Sequence, residues 1–186
     1  TDSAEKKMRI SSGTAKRRNI HVPRSVARPS TDRLREALFS ILGPLVEGAK
    51  VMDLFAGSGA LGLECLSRGA ASCVFVDDSR EAQQVIQKNI KELKLEGARV
   101  TGGDVFRLLK GERAEYDLIF KSALDTDYVD QLLTLESLHQ RLAPEGLLIV
   151  EDPPKNQRPE YEGWKLIDQR KYGNCGILFY QRRSAG

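Results

Sequence analysis

The stretch VMDLFAGSGALGLE, residues 51–64, constrains this chain more than any other. An apolar run enters it, Gly57, Gly59 and Gly62 follow in the spacing G-x-G-x-x-G, and a helical pattern leaves it. Glycines so spaced after a strand let the backbone pass close to a ligand at the carboxyl edge of an open α/β sheet. The surrounding chain keeps the same rhythm. Apolar runs predict strands at 50–55, 72–77, 98–101, 116–120 and 146–151, with helical patterns between them at about 59–68, 79–94, 104–110 and 126–142. Near-continuous apolar strands alternating with helices predict a parallel sheet covered on both faces. Two β-rich runs meeting at Gly173-Asn174 predict a hairpin that adds an antiparallel strand.

Acids at the strand ends narrow the ligand. Asp77 stands twenty residues beyond Gly57, where a carboxylate can accept both hydroxyls of a ribose. Asp53 stands four residues before Gly57, and Asp104 ends the third strand. A dinucleotide brings a pyrophosphate to such a loop, and a carboxylate beside it would repel that group. S-adenosylmethionine carries an ammonium and a sulfonium instead, which favours it over NAD. The plainer reading of Asp53 and Asp104 is that they cap helices or turns.

With 186 residues and 40% hydrophobic content, the chain can build one sizeable core. No apolar stretch is long enough to span a bilayer, and none resembles a secretory signal. Three widely spaced cysteines (Cys65, Cys73, Cys175) without a CxxC pair fit a reducing, cytoplasmic setting, and with only two histidines no metal site is expected. Residues 1–35 carry ten Lys/Arg against three acids, a net of +7, which leaves −4 for the rest of a chain whose total is +3. A basic arm on a mildly acidic body suggests a polyanionic partner, nucleic acid first; a solvated leader is the bland alternative. Residues 1–7 read as a polar leader, and 8–23 as a hairpin around Gly13 and the basic cluster. Ser30 and Thr31 are candidate caps of a helix through Leu34, Leu38, Ile41 and Leu42.

The segments MRISSGTAKRR, ARPSTDRLREALFSIL, VMDLFAGSGALGLECLSRGA and VFVDDS together resemble the bacterial 16S ribosomal RNA guanine-N2 methyltransferase family. The likeness runs from Met8 to the C-terminal hairpin. It implies an α/β fold with a seven-stranded, Rossmann-like class I methyltransferase sheet, mostly parallel, over residues 30–186, and a small basic N-terminal extension over 1–29. It implies methyl transfer from S-adenosyl-L-methionine to the exocyclic N2 of a guanine in 16S rRNA, within an assembling small subunit; a monomer is the default. By the same resemblance, Asp53, Phe55, Gly57 and Gly59 form the cofactor loop, Asp77 holds the ribose, and Asp104 and Val105 lie near the adenine. Thr31, Arg33 and Arg35 match a segment that lies over the cofactor and RNA. Lys16, Arg17, Arg18 and Arg24, with Arg33 and Arg35, are the expected phosphate contacts. An exposed helix face is the plainer reading of Arg33 and Arg35.

One departure stands out. The resemblance implies Asp-Pro-Pro and an aromatic after the fourth strand, where a carboxylate and a proline carbonyl accept the hydrogens of the guanine amine. Here YDLIF is followed by Lys121, Ser122, Ala123 and Leu124. Asp152-Pro153-Pro154 follows the fifth strand instead and reads as a strand-terminating turn. Two readings stay open. A substrate loop belongs between Phe120 and Lys121 and is missing from the chain as written, so that the two Cα atoms stand farther apart than the ~3.8 Å of a bonded pair. Alternatively the motif is lost, and the protein is a catalytically inactive RNA-binding or assembly factor.

Overall fold

The computed structural model describes residues 8–24, 31–122, 128–152 and 160–183. A short antiparallel hairpin comes first, β1 (Met8–Arg9) paired with β2 (Asn19–Ile20). Helix α1 (Asp32–Leu42) follows, and then the repeating unit: β3 (Lys50–Leu54), α2 (Ala60–Ser67), β4 (Ser72–Val76), α3 (Arg80–Leu93), β5 (Ala98–Thr101), α4 (Val105–Gly111) and β6 (Tyr116–Lys121). Short helices α5 (Tyr128–Leu133) and α6 (Glu136–Arg141) lead into β7 (Leu142–Asp152), and β8 (Trp164–Tyr172) turns back as β9 (Cys175–Arg182). The seven-stranded sheet runs β5-β4-β3-β6-β7-β9-β8, parallel through β7, with β9 antiparallel to both of its neighbours.

Period-2 alternation divides the strands between two cores. Val51, Phe75, Leu118, Phe120, Ile149, Ile177 and Phe179 face α1 and α2, and Met8, Ile10 and Ile20 of the hairpin join the same cluster. Met52, Leu54, Val76, Ile119, Leu148, Val150 and Leu178 face α4, α5 and α6. The hairpin is thus built onto the sheet domain's own core. Every residue of α2 is buried, because it lies between the sheet and the hairpin.

The predicted strands and helices recur within one or two residues, with two exceptions. The helical pattern at 126–142 divides into α5 and α6 at an extended Leu135. There the Trp164 indole donates to the Leu133 carbonyl (2.9 Å), so a tertiary bond takes over one of the helix's own acceptors. Strand β7 starts four residues earlier than expected, at Leu142, across an irregular register opposite Tyr116 and Leu118. Among the described residues no helix is long and apolar enough to cross a membrane.

Candidate cofactor site and basic face

Chain order reverses between β3 and β6: from β3 the chain moves outward to β4 and β5, then returns to β6 on β3's other side. Ligands of open α/β sheets bind at such a switch point, beyond the carboxyl ends of the strands. The loop there, Phe55–Gly59, holds three left-handed residues, Phe55 (φ 57), Gly57 (φ 61) and Gly59 (φ 78). A non-glycine residue in that region stores strain, and such strain gathers at binding loops. Gly62 lets α2 close onto the sheet: a Cβ there would lie 2.4 Å from Cε1 of Phe75 and 2.6 Å from Sγ of Cys73.

Asp53 and Asp77 lie beneath this loop. Asp53 is fully buried; its Oδ2 accepts from Gly62 N (3.2 Å), and its Oδ1 has no hydrogen-bond partner among the described residues. Burial holds its carboxyl well above the ordinary carboxylate range; the Gly62 N–H opposes that rise, while Asp77 and Glu151 add to it. A buried acid with an unused oxygen suits a cationic ligand group, as an ammonium or a sulfonium is. Asp77 accepts from Gly57 N (2.9 Å) through Oδ2 and from Ser79 N (2.9 Å) through Oδ1, so it braces the loop from the neighbouring strand.

The remaining expected site residues lie further out. Asp104 caps α4, accepting from Phe106 N (2.8 Å) and Arg107 N (3.1 Å), and Val105 is buried behind it. Thr31 caps α1, its hydroxyl accepting from Leu34 N (3.2 Å). Lys16, Arg17, Arg18, Arg24 and Arg33 are exposed. Arg35 differs from the expectation of a phosphate contact. It is 2% exposed, donates to Arg9 O (3.2 Å) and pairs with Asp32, tying α1 to the hairpin. Sequence reasoning missed two buried polar residues, Glu64 and Asn89. Glu64 accepts from Ser11 N (2.8 Å), Ser11 Oγ (2.6 Å) and Ser12 N (3.2 Å), and ion-pairs with Arg68 (3.1 Å). The available signal was a polar residue within an apolar helical stripe, as Asn89 is among Ala82, Ile86 and Leu93.

Strand β6 ends beside the cofactor loop. Phe120 and Lys121 pair with Asp53 and Leu54 on one side and Ile149 and Val150 on the other. Lys121 is 1% exposed, and its Nζ donates to Glu151 O (3.5 Å). The Cys175 thiol donates to Glu151 Oε1 (3.2 Å) and is pushed up to about 12 by burial and by that carboxylate, so it stays protonated and is no nucleophile. Strand β7 runs to a buried Asp152; Pro153 and Pro154 lie outside the described residues, as do Ser30, Ala123 and Leu124.

The fold has solved counterparts. The Escherichia coli protein yhhF superposes with a TM-score of 0.84 at 33% identity, covering 96% of this chain and 99% of that one. A ribosomal protein L11 methylase from Lactobacillus delbrueckii subsp. bulgaricus shares the fold alone, at TM-score 0.67 and 20% identity over 88% of this chain and 85% of that one. Among curated proteins, ribosomal RNA small subunit methyltransferase D of Escherichia coli K12 is 34% identical over 187 residues, covering 99% of this chain and 94% of the relative. Sheet order, switch-point loop and buried acids define a class I, S-adenosylmethionine-dependent methyltransferase. Residues 8–181 match the model of the family described as Conserved hypothetical protein 95, and the chain belongs to that family.

Proposed function

We propose that this protein transfers a methyl group from S-adenosylmethionine to the exocyclic N2 of a guanine in small-subunit ribosomal RNA, as a monomer. The observation that carries this reading is the buried Asp53 under a left-handed glycine loop, its Oδ1 without a hydrogen-bond partner among the described residues. The relative named for small-subunit rRNA methylation, matched almost end to end, supports the acceptor. S-adenosylmethionine supplies a methyl already activated by its sulfonium. Asp53 would hold the donor's cationic end, Gly57 and Gly59 would let the loop backbone approach it, Asp77 would hold the ribose, and Asp104 and Val105 would lie toward the adenine. The exposed Lys16, Arg17, Arg18, Arg24 and Arg33 hold phosphates and orient the RNA; catalysis is then mainly positioning.

Lys121 favours a second reading. A buried lysine ends the strand beside the cofactor loop, where the resemblance implies a carboxylate, which fits an assembly factor that binds cofactor and RNA without transferring methyl. Incubating the protein with labelled S-adenosylmethionine and unmethylated small-subunit RNA or particles, then digesting to nucleosides, separates the two. Label in N2-methylguanosine is the expected result. Binding of both partners with no label transferred leaves the second reading, and no binding of S-adenosylmethionine removes both.

A further inference from the structure

Asn89 is a buried polar residue that the cofactor site does not use. It lies on α3, 1% exposed, and the atoms around its amide belong to two different functional parts. Its Oδ1 accepts from His21 N (2.8 Å) and its Nδ2 donates to His21 O (3.0 Å), so the side chain grips both backbone groups of one hairpin residue. The second Nδ2 hydrogen goes to Ser58 O (3.3 Å). Ser58 is the residue between Gly57 and Gly59, at the centre of the left-handed loop. Both Nδ2 donors are therefore committed, one to the hairpin and one to the loop.

The same residues have further ties. Ser58 Oγ meets Met8 Sδ of the hairpin at 3.8 Å. The peptide that carries Ser58 O also carries Gly59 N, which donates to Ala56 O (2.8 Å), so tilting that carbonyl disturbs the loop's internal turn. On the hairpin side, His21 Nε2 pairs with Glu92 Oε2 (2.7 Å) and Arg18 Nη2 donates to Glu92 O (3.1 Å). Arg24 N donates to Glu81 Oε1 (2.6 Å). His21 thus stands in the chain between Arg18 and Arg24, both exposed and both tied to α3.

We infer that Asn89 is a positioning residue that couples the basic hairpin to the cofactor loop, so that RNA bound on the hairpin and cofactor bound in the loop change each other's affinity. The inference rests on the proposed reading that the hairpin holds RNA and the loop holds S-adenosylmethionine. RNA phosphates that draw in Arg18 and Arg24 shift His21, and the Asn89 amide, hydrogen-bonded to His21 on one side and Ser58 on the other, transmits the shift to the loop. Linkage makes the effect reciprocal. A merely structural Asn89 would alter stability and leave that reciprocity untouched.

The test is the affinity for S-adenosylhomocysteine, which binds without turnover, measured by calorimetry with and without saturating small-subunit RNA. The wild-type protein is expected to show a change of about 5- to 10-fold between the two conditions. In Asn89→Ala that ratio falls to about one while each ligand still binds alone. His21→Pro weakens the same link from the hairpin side by removing the donor to Oδ1, leaving only the Nδ2 bond to His21 O. It lowers the ratio part of the way, which gives the answer if Asn89→Ala does not fold. A wild-type ratio of one with both ligands bound overturns the inference and leaves the proposed function standing. So does a ratio that survives in both variants. Failure of the wild type to bind RNA or S-adenosylhomocysteine overturns the proposed function, and the inference with it.

Discussion

At Asp53 the cost of burying a charge becomes a property of binding. Its carboxyl is held high by burial, so the free protein keeps a proton there over a range where an exposed carboxylate has lost it. A cation arriving beside it lowers that pKa again, and the proton leaves. Cofactor binding should therefore release protons and tighten as pH rises through the raised value, with the dependence gone in Asp53→Asn. Calorimetry in buffers of different ionisation enthalpy reads the proton count directly. Gly62 makes a complementary point about space. Alanine suits a helix better than glycine by about 1 kcal/mol, but the added carbon would overlap the Phe75 ring and the Cys73 sulfur. Overpacking of that kind costs about 1–3 kcal/mol, so Gly62→Ala should lower the stability measured in urea by up to about 2 kcal/mol.

At the scale of elements, the hairpin stays on α2 because one buried carboxylate receives three donors from it. Glu64→Ala leaves the Ser11 and Ser12 amides without their acceptor and should cost about 2–4 kcal/mol. Trypsin should then cut at Lys16, Arg17 or Arg18 well before the rest of the domain unfolds, a pattern visible on a gel over a time course. The main strands and helices were legible because apolar runs with turn residues at both ends need no distant partner to be recognised. The glycine spacing and the acids at the strand ends marked the loop for the same reason. Other features depend on distant residues. The break between α5 and α6 needs Trp164, some thirty positions on, to claim a carbonyl. Arg35 looks like any charge on a helix until the hairpin folds over it, and Glu64 and Asn89 acquire roles only from Ser11, Ser12 and His21.

For the molecule as a whole, charge is separated from the core. The hairpin presents Lys16, Arg17 and Arg18 to solvent while its apolar side joins the sheet. If each cation meets one phosphate, replacing all three with alanine should reduce the slope of log affinity for RNA against log salt by about 2–3, with cofactor affinity in the absence of RNA little changed. A filter-binding series in sodium chloride reads that slope. The position of β9 reaches beyond the folded state. It lies between β7 and β8, and its Ile177 and Phe179 share a core with Met8 and Ile10, nearly the whole chain away. Until β9 docks, Leu148–Asp152 of β7 present an unpaired edge, LIVED, to any other chain in solution. The strand that closes this edge comes from 24 or more residues along the chain, beyond β8, and non-local pairings form slowly, so a refolding molecule carries that open edge until β9 docks. Recovery from denaturant should fall steeply as protein concentration rises, because self-association competes with the strand that closes the sheet.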